Sequence, residues 1–360
     1  MNKARFALLL TLILVFPMII SFGSANIRPQ QMAATLPATS PVEKSAASKT
    51  FGIIYPMTYP TYEMITKDAT EYAGKHNITL IVNAPDEANT EQQIRIMENM
   101  IKQHVDGIAI SPVDAAALTP VIDAAQAAGI PVITFESDVP SSHRIAYVGA
   151  DNYRTGQQFA MTTTRLLHNQ GMILVENGLE EMQGLQQRLN GFIDYIRSET
   201  DIEILEVRYH QGNEDQAMSD MENMIQAHPH FNAIIGLDFV SVSASTLIWK
   251  AKGLNRHLIA FGDSPTSENG LLNGQLSAVI SQNEGVWGTK MMETLLLASD
   301  GVPVKEFIDT GIIEINQEGS KLRCCPLVMK MTGGQHLLNF RTRSYYIRSS
   351  KCFSRKMNFF

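Results

Sequence analysis

Short apolar runs alternate with longer segments of helical spacing from Phe51 onward. One such segment carries Ile94, Met97 and Ile101, which recur three to four residues apart and mark one face of a helix. Regular alternation of strands and helices is typical of βαβ units, in which helices connect parallel strands. The pattern therefore predicts an α/β fold built on parallel sheets. The runs predicted as strands are 51–55, 78–82, 106–110, 131–135, 145–148, 171–175, 202–207, 232–236, 257–261 and 276–280.

The chain also contains a weak internal repeat. The segment "DGIAISPVDAAAL" (106–118) is similar to "NAIIGLDFVSVSA" (232–244). In the same way, "GIPVITFES" (129–137) is similar to "RHLIAFGDS" (256–264). A strand, a helix and another strand follow at similar spacing in both halves, which favours two similar domains over one large sheet. The length of 360 residues also favours two domains.

The stretch "GIPVITFESDVP" (129–140) begins as a buried strand and ends on polar residues, Glu136, Ser137 and Asp138. In open parallel sheets, ligands bind beyond the carboxyl ends of the strands. Helix capping and turn formation remain an alternative for the serine and the aspartate. Glutamate is a poor capping residue, so Glu136 is the stronger candidate for a binding role.

Composition and charge describe a globular, acidic body with a basic end. Apolar residues make up 44% and charged residues 18% of the chain, which suits sizeable α/β cores. Residues 320–360 contain nine Lys or Arg and no Asp or Glu, which leaves 20 basic against 36 acidic residues in 1–319. An acidic body argues against nucleic acid as a partner. We expect the tail 320–360, which holds all three cysteines, to be an aberrant or disordered end; a basic membrane-binding tail is the alternative.

The amino terminus has the features of an export signal. Lys3 and Arg5 precede the apolar run 6–22, and small residues at 23–25 offer a cleavage point. The run of 17 residues is also just long enough for a retained membrane anchor. We therefore expect 1–25 to be a signal peptide or anchor, and the Ala-, Ser- and Pro-rich segment 26–49 to be a linker. The protein is expected to be exported to the periplasm or cell surface.

Several motifs together resemble the type 1 periplasmic sugar-binding proteins, and the ribose-binding protein group in particular. They are "TFGIIYPMTYPTYEMITKDATEYAGKHNITLIV", "DGIAISPVD", "GIPVITFES", "YVGADNYRTGQ" and "QQRLNGF", and the resemblance covers roughly residues 50–318. The effector domain of the lac repressor shares this fold. No helix-turn-helix precedes the resemblance and an export signal does, which disfavours the repressor branch.

The resemblance implies two doubly wound parallel-sheet domains joined by a three-segment hinge, which close on a monosaccharide. We expect hinge positions near 150–152 and 282–283. The expected domains are 50–150 with 283–306, and 151–282 with 307–319. The implied partners are a monosaccharide and an ABC transporter permease. The implied protein is a monomer, is not an enzyme, and needs no cofactor or metal.

The resemblance also implies a set of ligand-binding residues. Aromatic rings can cover the apolar face of a sugar, while carboxylates, amides and arginine can bind its hydroxyl groups. The family's sugar-binding aspartate is Gly262 here, with an aspartate one residue later, and its Asp-Arg pair after the fourth strand is Glu136-Ser137. These departures suggest a sugar other than ribose. The expected ligand-binding residues are Tyr59, Tyr62, Glu136, Ser137, Arg188, Asp238, Asp263 and Gln282.

Two other functions remain open from the sequence. A retained anchor and the linker 26–49 would suit a membrane-anchored sugar sensor that signals to a histidine kinase. "FGDSPTSENG" superficially resembles the Gly-Asp-Ser block of a lipase family, but Ser264 comes late in the chain and no Asp-x-x-His follows. A hydrolase is therefore only a minor alternative.

Overall fold

A computed structural model describes residues 48–319. The expected export segment 1–25, the linker up to residue 47 and the basic tail 320–360 lie outside the described residues. The first strand begins at Lys49, so the predicted linker extends no further than residue 48.

Two parallel sheets of six strands each form the frame of the molecule. The first sheet has the order β11-β5-β4-β3-β1-β2 and the second the order β12-β10-β9-β8-β6-β7. All neighbours pair in parallel except β10 and β12, which are antiparallel. The strands are β1 Lys49–Ile54, β2 Ile78–Asn83, β3 Gly107–Ile110, β4 Val132–Phe135, β5 Ala146–Gly149, β6 Gln170–Asn177, β7 Asp201–Tyr209, β8 Ala233–Gly236, β9 His257–Phe261, β10 Ala278–Ser281, β11 Phe307–Asp309 and β12 Ile313–Ile315.

Helices cover both faces of each sheet. In the first domain α1 packs against α9 and α2 against α3; in the second α4 packs against α5 and α6 against α7. Because both faces are covered, strands such as β3, β4 and β8 bury every residue, and β3 and β8 are apolar throughout. The helices are α1 Thr61–Lys75, α2 Thr90–Lys102, α3 Ala115–Ala127, α4 Asn152–Leu167, α5 Gln183–Glu199, α6 Glu214–Ala227, α7 Phe239–Lys252, α8 Pro265–Leu272 and α9 Trp287–Ser299.

The chain crosses between the domains at three places. The crossings are 150–151 between β5 and α4, 282–286 between β10 and α9, and 310–312 between β11 and β12. The first two coincide with the predicted hinge positions. Trp287 anchors the second crossing, because its fully buried ring packs edge-on against Phe135.

The predicted boundary of the second domain is wrong at its carboxyl end. The sequence predicts the whole of 307–319 in that domain, but Phe307–Asp309 pairs in parallel with β5 at the edge of the first sheet. Only Ile313–Ile315 joins the second sheet, beside β10. Both strands are three residues long and partly exposed, so no buried apolar run marked the division between them.

Candidate functional site

A small cavity lies between the two domains, where the loops after the strands meet. It encloses about 30 Å³, which is room for one or two water molecules. The first domain lines it with Pro56, Met57, Tyr59, Tyr62 and Glu136. The second domain lines it with Gly178, Leu179, Met182, Leu185, His210, Gly212, Asp238, Phe239 and Val240.

Glu136 supplies a buried carboxyl group from the first domain. It follows β4 at the centre of a γ-turn, with φ of 62° and a hydrogen bond of 2.6 Å from the Ser137 amide to the Phe135 carbonyl. Such a conformation is strained for a residue other than glycine, and strain of this kind concentrates at functional sites. The side chain accepts hydrogen bonds from Tyr62 at 3.0 and 3.2 Å and from Ser111 at 2.8 Å. Burial raises the pKa of Glu136 to about 7, although both hydroxyl donors oppose the shift.

Asp238 supplies the second carboxyl group and also caps α7. Its oxygens accept from the amides of Val240 and Ser241 and from the Ser241 hydroxyl. His210 Nε2 lies 3.0 and 3.1 Å from the two carboxylate oxygens. Burial opposes ionisation, but His210 and Ser241 hold the pKa of Asp238 below its usual range. Asp238 therefore both caps α7 and lines the cavity.

Aromatic rings form the wall between these carboxyl groups. Tyr62 stacks on Tyr55 with ring centroids 4.6 Å apart and presents its edge to Phe239 at 5.9 Å. Tyr59 reaches across the cleft and donates a hydrogen bond of 2.8 Å to Ser243 on α7. These contacts connect the first domain to the start of α7 in the second.

Arg188 and Gln282 lie behind the cavity rather than in its wall. Arg188 is buried, with Nη1 donating to the Leu237 carbonyl at 2.5 Å and Nη2 to Asn152 Oδ1 at 2.7 Å. Gln282 donates to the same Asn152 oxygen at 2.8 Å. The Asn152 amide group in turn donates to the Glu136 carbonyl at 2.9 Å. Asn152 therefore links the first crossing, the second crossing and the turn that carries Glu136.

Close packing of α4 and α5 places Arg188 in this network. A Cβ at Gly191 would lie 2.0 Å from the Tyr153 carbonyl, and one at Gly156 would lie 1.9 Å from the Arg188 carbonyl. The two glycines thus allow the helix backbones to touch, and the guanidinium lies 3.6 Å from the centre of the Phe261 ring. Burial lowers the pKa of Arg188 to about 10, even though several carboxylates oppose the shift.

The remaining two predicted residues, Ser137 and Asp263, do not line the cavity. Ser137 is buried and its hydroxyl accepts a hydrogen bond of 3.0 Å from the Gly184 amide, which joins the two domains. Asp263 does not line the cavity, and its amide donates to Glu284 at 3.1 Å. Gly262, just before it, has φ of 88°, and a Cβ there would lie 2.3 Å from the Phe239 ring. That ring occupies the space into which a side chain at 262 would extend.

Sequence reasoning missed His210 and most of the apolar wall. His210 follows β7 directly, so the rule that located Glu136 after β4 also applied to it. Its Nδ1 accepts from the Gly212 amide at 3.1 Å. Burial lowers the pKa of His210, but attraction to Asp238 outweighs burial and the net shift is upward. Apolar wall residues such as Phe239 carry no sequence signal that separates them from core residues.

Comparisons with known proteins agree with this geometry. The sequence model of the family described as "Periplasmic binding protein domain" matches residues 51–302, about seven tenths of the chain. The chain belongs to the periplasmic binding protein family. The expected relationship to the type 1 members and the two-domain parallel-sheet fold are confirmed. Members of the family are substrate-binding proteins, so the chain is not an enzyme.

Three similar proteins illustrate the periplasmic binding protein family. The ribose import binding protein of Bacillus subtilis is 22% identical over 231 residues, which are 64% of this chain and 74% of that protein. The ribose import binding protein of Escherichia coli is 20% identical over 284 residues, or 78% and 95% of the two chains. A solute-binding protein of an ABC transporter from Burkholderia graminis, crystallised with D-arabinose, is 26% identical with a TM-score of 0.73, covering 76% of this chain and 97% of that one.

Three further findings concern the described part of this periplasmic binding protein. Between residues 48 and 319, no group of three His, Cys, Asp or Glu residues is placed to hold a metal ion. No helix in that range has both the length and the apolar character needed to cross a membrane. Ser264, the serine of the hydrolase alternative, caps α8 and accepts from the Ser267 amide at 3.1 Å.

Proposed function

We propose that this chain is an extracytoplasmic solute-binding protein that captures a monosaccharide between its domains and delivers it to an ABC permease as a monomer. One observation carries the proposal. The cavity takes its walls from both domains and brings the carboxyl groups of Glu136 and Asp238 together with the rings of Tyr59 and Tyr62. The names of the similar proteins, which include ribose import binding proteins and a structure with D-arabinose, support a sugar as the ligand.

The chemistry of the cavity suits a sugar ring. Tyrosine rings provide flat apolar surface at small conformational cost, and carboxylates accept charge-assisted hydrogen bonds from hydroxyl groups. Glu136 has a pKa of about 7, so it can accept from a hydroxyl group when ionised and donate to one when protonated. A buried carboxyl group with this property can adapt to the donors and acceptors that a particular sugar presents.

The contacts between the domains support reversible closure. The closed arrangement rests on few polar contacts, among them the Tyr59–Ser243 and Gly184–Ser137 hydrogen bonds. A cavity of about 30 Å³ is too small for a monosaccharide, so the domains must separate to admit one. A ligand that touches both walls then stabilises the closed form through contacts it makes only there. We propose that the crossings at 150–151, 282–286 and 310–312 form the hinge.

Calorimetric titration of the full chain with single pentoses and hexoses tests the binding proposal. We expect at least one monosaccharide to bind. Glu136→Gln should weaken that binding about tenfold, because an uncharged amide replaces the carboxyl group in the wall. Glu71→Gln, an exposed glutamate on α1, is the matched control and should bind as the parent does. Absence of heat with every sugar would refute the proposal.

Uptake measurements and small-angle scattering test delivery and closure. Deleting the gene in its native cell should abolish uptake of the labelled sugar, and expressing the chain again should restore it. The radius of gyration should fall when the sugar is added, as expected for two domains that close. Uptake that persists without the chain would contradict the transport role while leaving binding intact.

A further inference from the structure

The cavity wall is more apolar than a fully hydroxylated sugar requires. Apart from the two tyrosines, the polar side chains that line it within residues 48–319 are Glu136, His210 and Asp238. The other side chains of the lining are apolar. The side chains that form this apolar wall are Met57, Leu179, Met182, Leu185, Phe239 and Val240.

Most of the polar side chains that line the cavity already form hydrogen bonds within the protein. The carboxylate of Asp238 accepts from two backbone amides, the Ser241 hydroxyl and His210, which fills its roughly four acceptor positions. The hydroxyl group of Tyr59 already donates its hydrogen bond to Ser243. Glu136 accepts from Tyr62 and Ser111 and keeps some capacity for a ligand. Among the side chains that line the cavity, few hydrogen-bonding positions therefore remain, and Glu136 offers some of them.

Phe239 holds the apolar wall in place. Its ring lies against Phe261 with centroids 5.0 Å apart and receives the edge of Tyr62 at 5.9 Å. Gly262 has no side chain to contribute, and the Phe239 ring fills the space beside it. Met57 extends the same wall from the first domain: its sulfur would lie 3.1 Å from a Cβ at Gly212. A hydroxyl group turned toward this wall would lose its hydration without gaining a partner.

We infer that the ligand is a deoxygenated sugar, with a 6-deoxyhexose as the representative class, whose methyl group faces Met182, Leu185 and Phe239. This inference rests on the proposed function. The hydroxyl groups of such a sugar point toward Glu136 and its neighbours, and its methyl group packs on the apolar wall. Burying a methyl group there is favourable, whereas burying an unpartnered hydroxyl group is unfavourable.

Calorimetric titration of the full chain with matched pairs of sugars tests this inference. Each pair differs only in the oxygen on carbon 6: L-rhamnose with L-mannose, L-fucose with L-galactose, and D-fucose with D-galactose. In at least one pair, we expect the 6-deoxy sugar to bind at least tenfold more tightly than its hydroxylated counterpart. A preference below tenfold in every pair that binds overturns the inference and leaves sugar binding standing. Failure of all pentoses and hexoses to bind overturns the proposed function and the inference with it.

A variant of the wall gives a second measurement. Met182→Gln keeps the length of the side chain and adds hydrogen-bonding atoms beside the methyl position, so the deoxy preference should fall at least threefold. Met161→Gln changes a methionine that is 42% exposed on α4 and should leave the preference unchanged. A folded Met182→Gln protein with an unchanged preference would contradict the inference. Leu179→Gln, at a partly exposed wall position, serves the same purpose if the first variant does not fold.

Discussion

The hydroxyl of Tyr62 lies 3.0 Å from Oε2 of Glu136, in a part of the molecule where neither side chain is more than 5% exposed. Burial raises the pKa of Glu136 from 4.5 to about 7, so the folded protein retains a proton that the unfolded chain has lost between those values. The free energy of unfolding should therefore fall as the pH rises from about 4.5 to about 7.

Glu136→Gln should remove this part of the pH dependence. The shift corresponds to about 3 kcal/mol as an upper bound. Urea unfolding of the parent and the variant at pH 5, 6, 7 and 8 measures this contribution. The free energy of unfolding of the parent, relative to that of the variant, should fall as the pH rises. Parallel curves across the range would show that Glu136 ionises normally in the folded protein.

Glu176 should also weaken the fold at neutral pH. It lies at the end of β6, fully buried, with neither carboxylate oxygen in a hydrogen bond to the described residues. Burial, followed by repulsion from Asp238, raises its pKa to about 9. Glu176→Gln removes the ionisation difference and should stabilise the protein by about 3 kcal/mol more at pH 8 than at pH 5.

Denaturant titrations at those two pH values check the Glu176 prediction. Glu203→Gln, an exposed glutamate on β7, is the control and should show no such difference. A Glu176 variant whose stability tracked the parent at both pH values would be inconsistent with a buried, protonated carboxyl group.

Gly262→Ala should be strongly destabilising, because two unfavourable effects add at this position. The φ of 88° disfavours any side chain, and the new Cβ would lie 2.3 Å from the Phe239 ring. We expect a loss of at least about 3 kcal/mol in the free energy of unfolding. Gly301→Ala has a similar φ of 73° with no atom within 4 Å, so it should lose only about 1 kcal/mol.

Combining Gly262→Ala with Phe239→Ala separates the two effects. The double variant should lose less than the sum of the single losses, because removing the ring removes the collision. Additive losses in thermal or urea unfolding would show that the ring and the glycine are not coupled.

The hydrogen bond from Tyr59 to Ser243 should bias the domains toward closure. Tyr59→Phe and Ser243→Ala should each increase the radius of gyration of the unliganded protein, and the double variant should do so no further. Each single change should cost about 1 kcal/mol of closed-state stability. Tyr153→Phe removes a tyrosine hydrogen bond to Asp194 within the second domain, so it should leave the scattering unchanged.

The periodic pattern of the sequence predicted the frame well. All ten apolar runs became strands, with ends displaced by at most two residues, because buried parallel strands must be apolar on both faces. Both β11 and β12 were predicted in the second domain, yet β11 lies in the first sheet. Neither strand stood out in the sequence, because each has only three, partly exposed residues. Their partners are set by chain crossings that hydrophobicity does not encode.

The lining of the cavity was predicted in part. Tyr59, Tyr62, Glu136 and Asp238 line the cavity, as their positions after strands suggested. Arg188 does not line the cavity, because the close approach of α4 and α5 turns its guanidinium toward the domain crossings, and its binding role stays a prediction. The apolar wall could not be predicted, since a residue such as Leu185 in a helix is equally suited to a core and to a binding surface.

The route of the chain has a consequence for synthesis on the ribosome. The helix α9 and the strand β11 complete the first domain, yet they follow the whole of the second domain in sequence. The amino-terminal domain therefore stays incomplete until residue 309 has emerged, because α9 covers part of one face of its sheet beside α1. The second domain, which lacks only β12, can assemble most of its structure before the first domain has all of its elements.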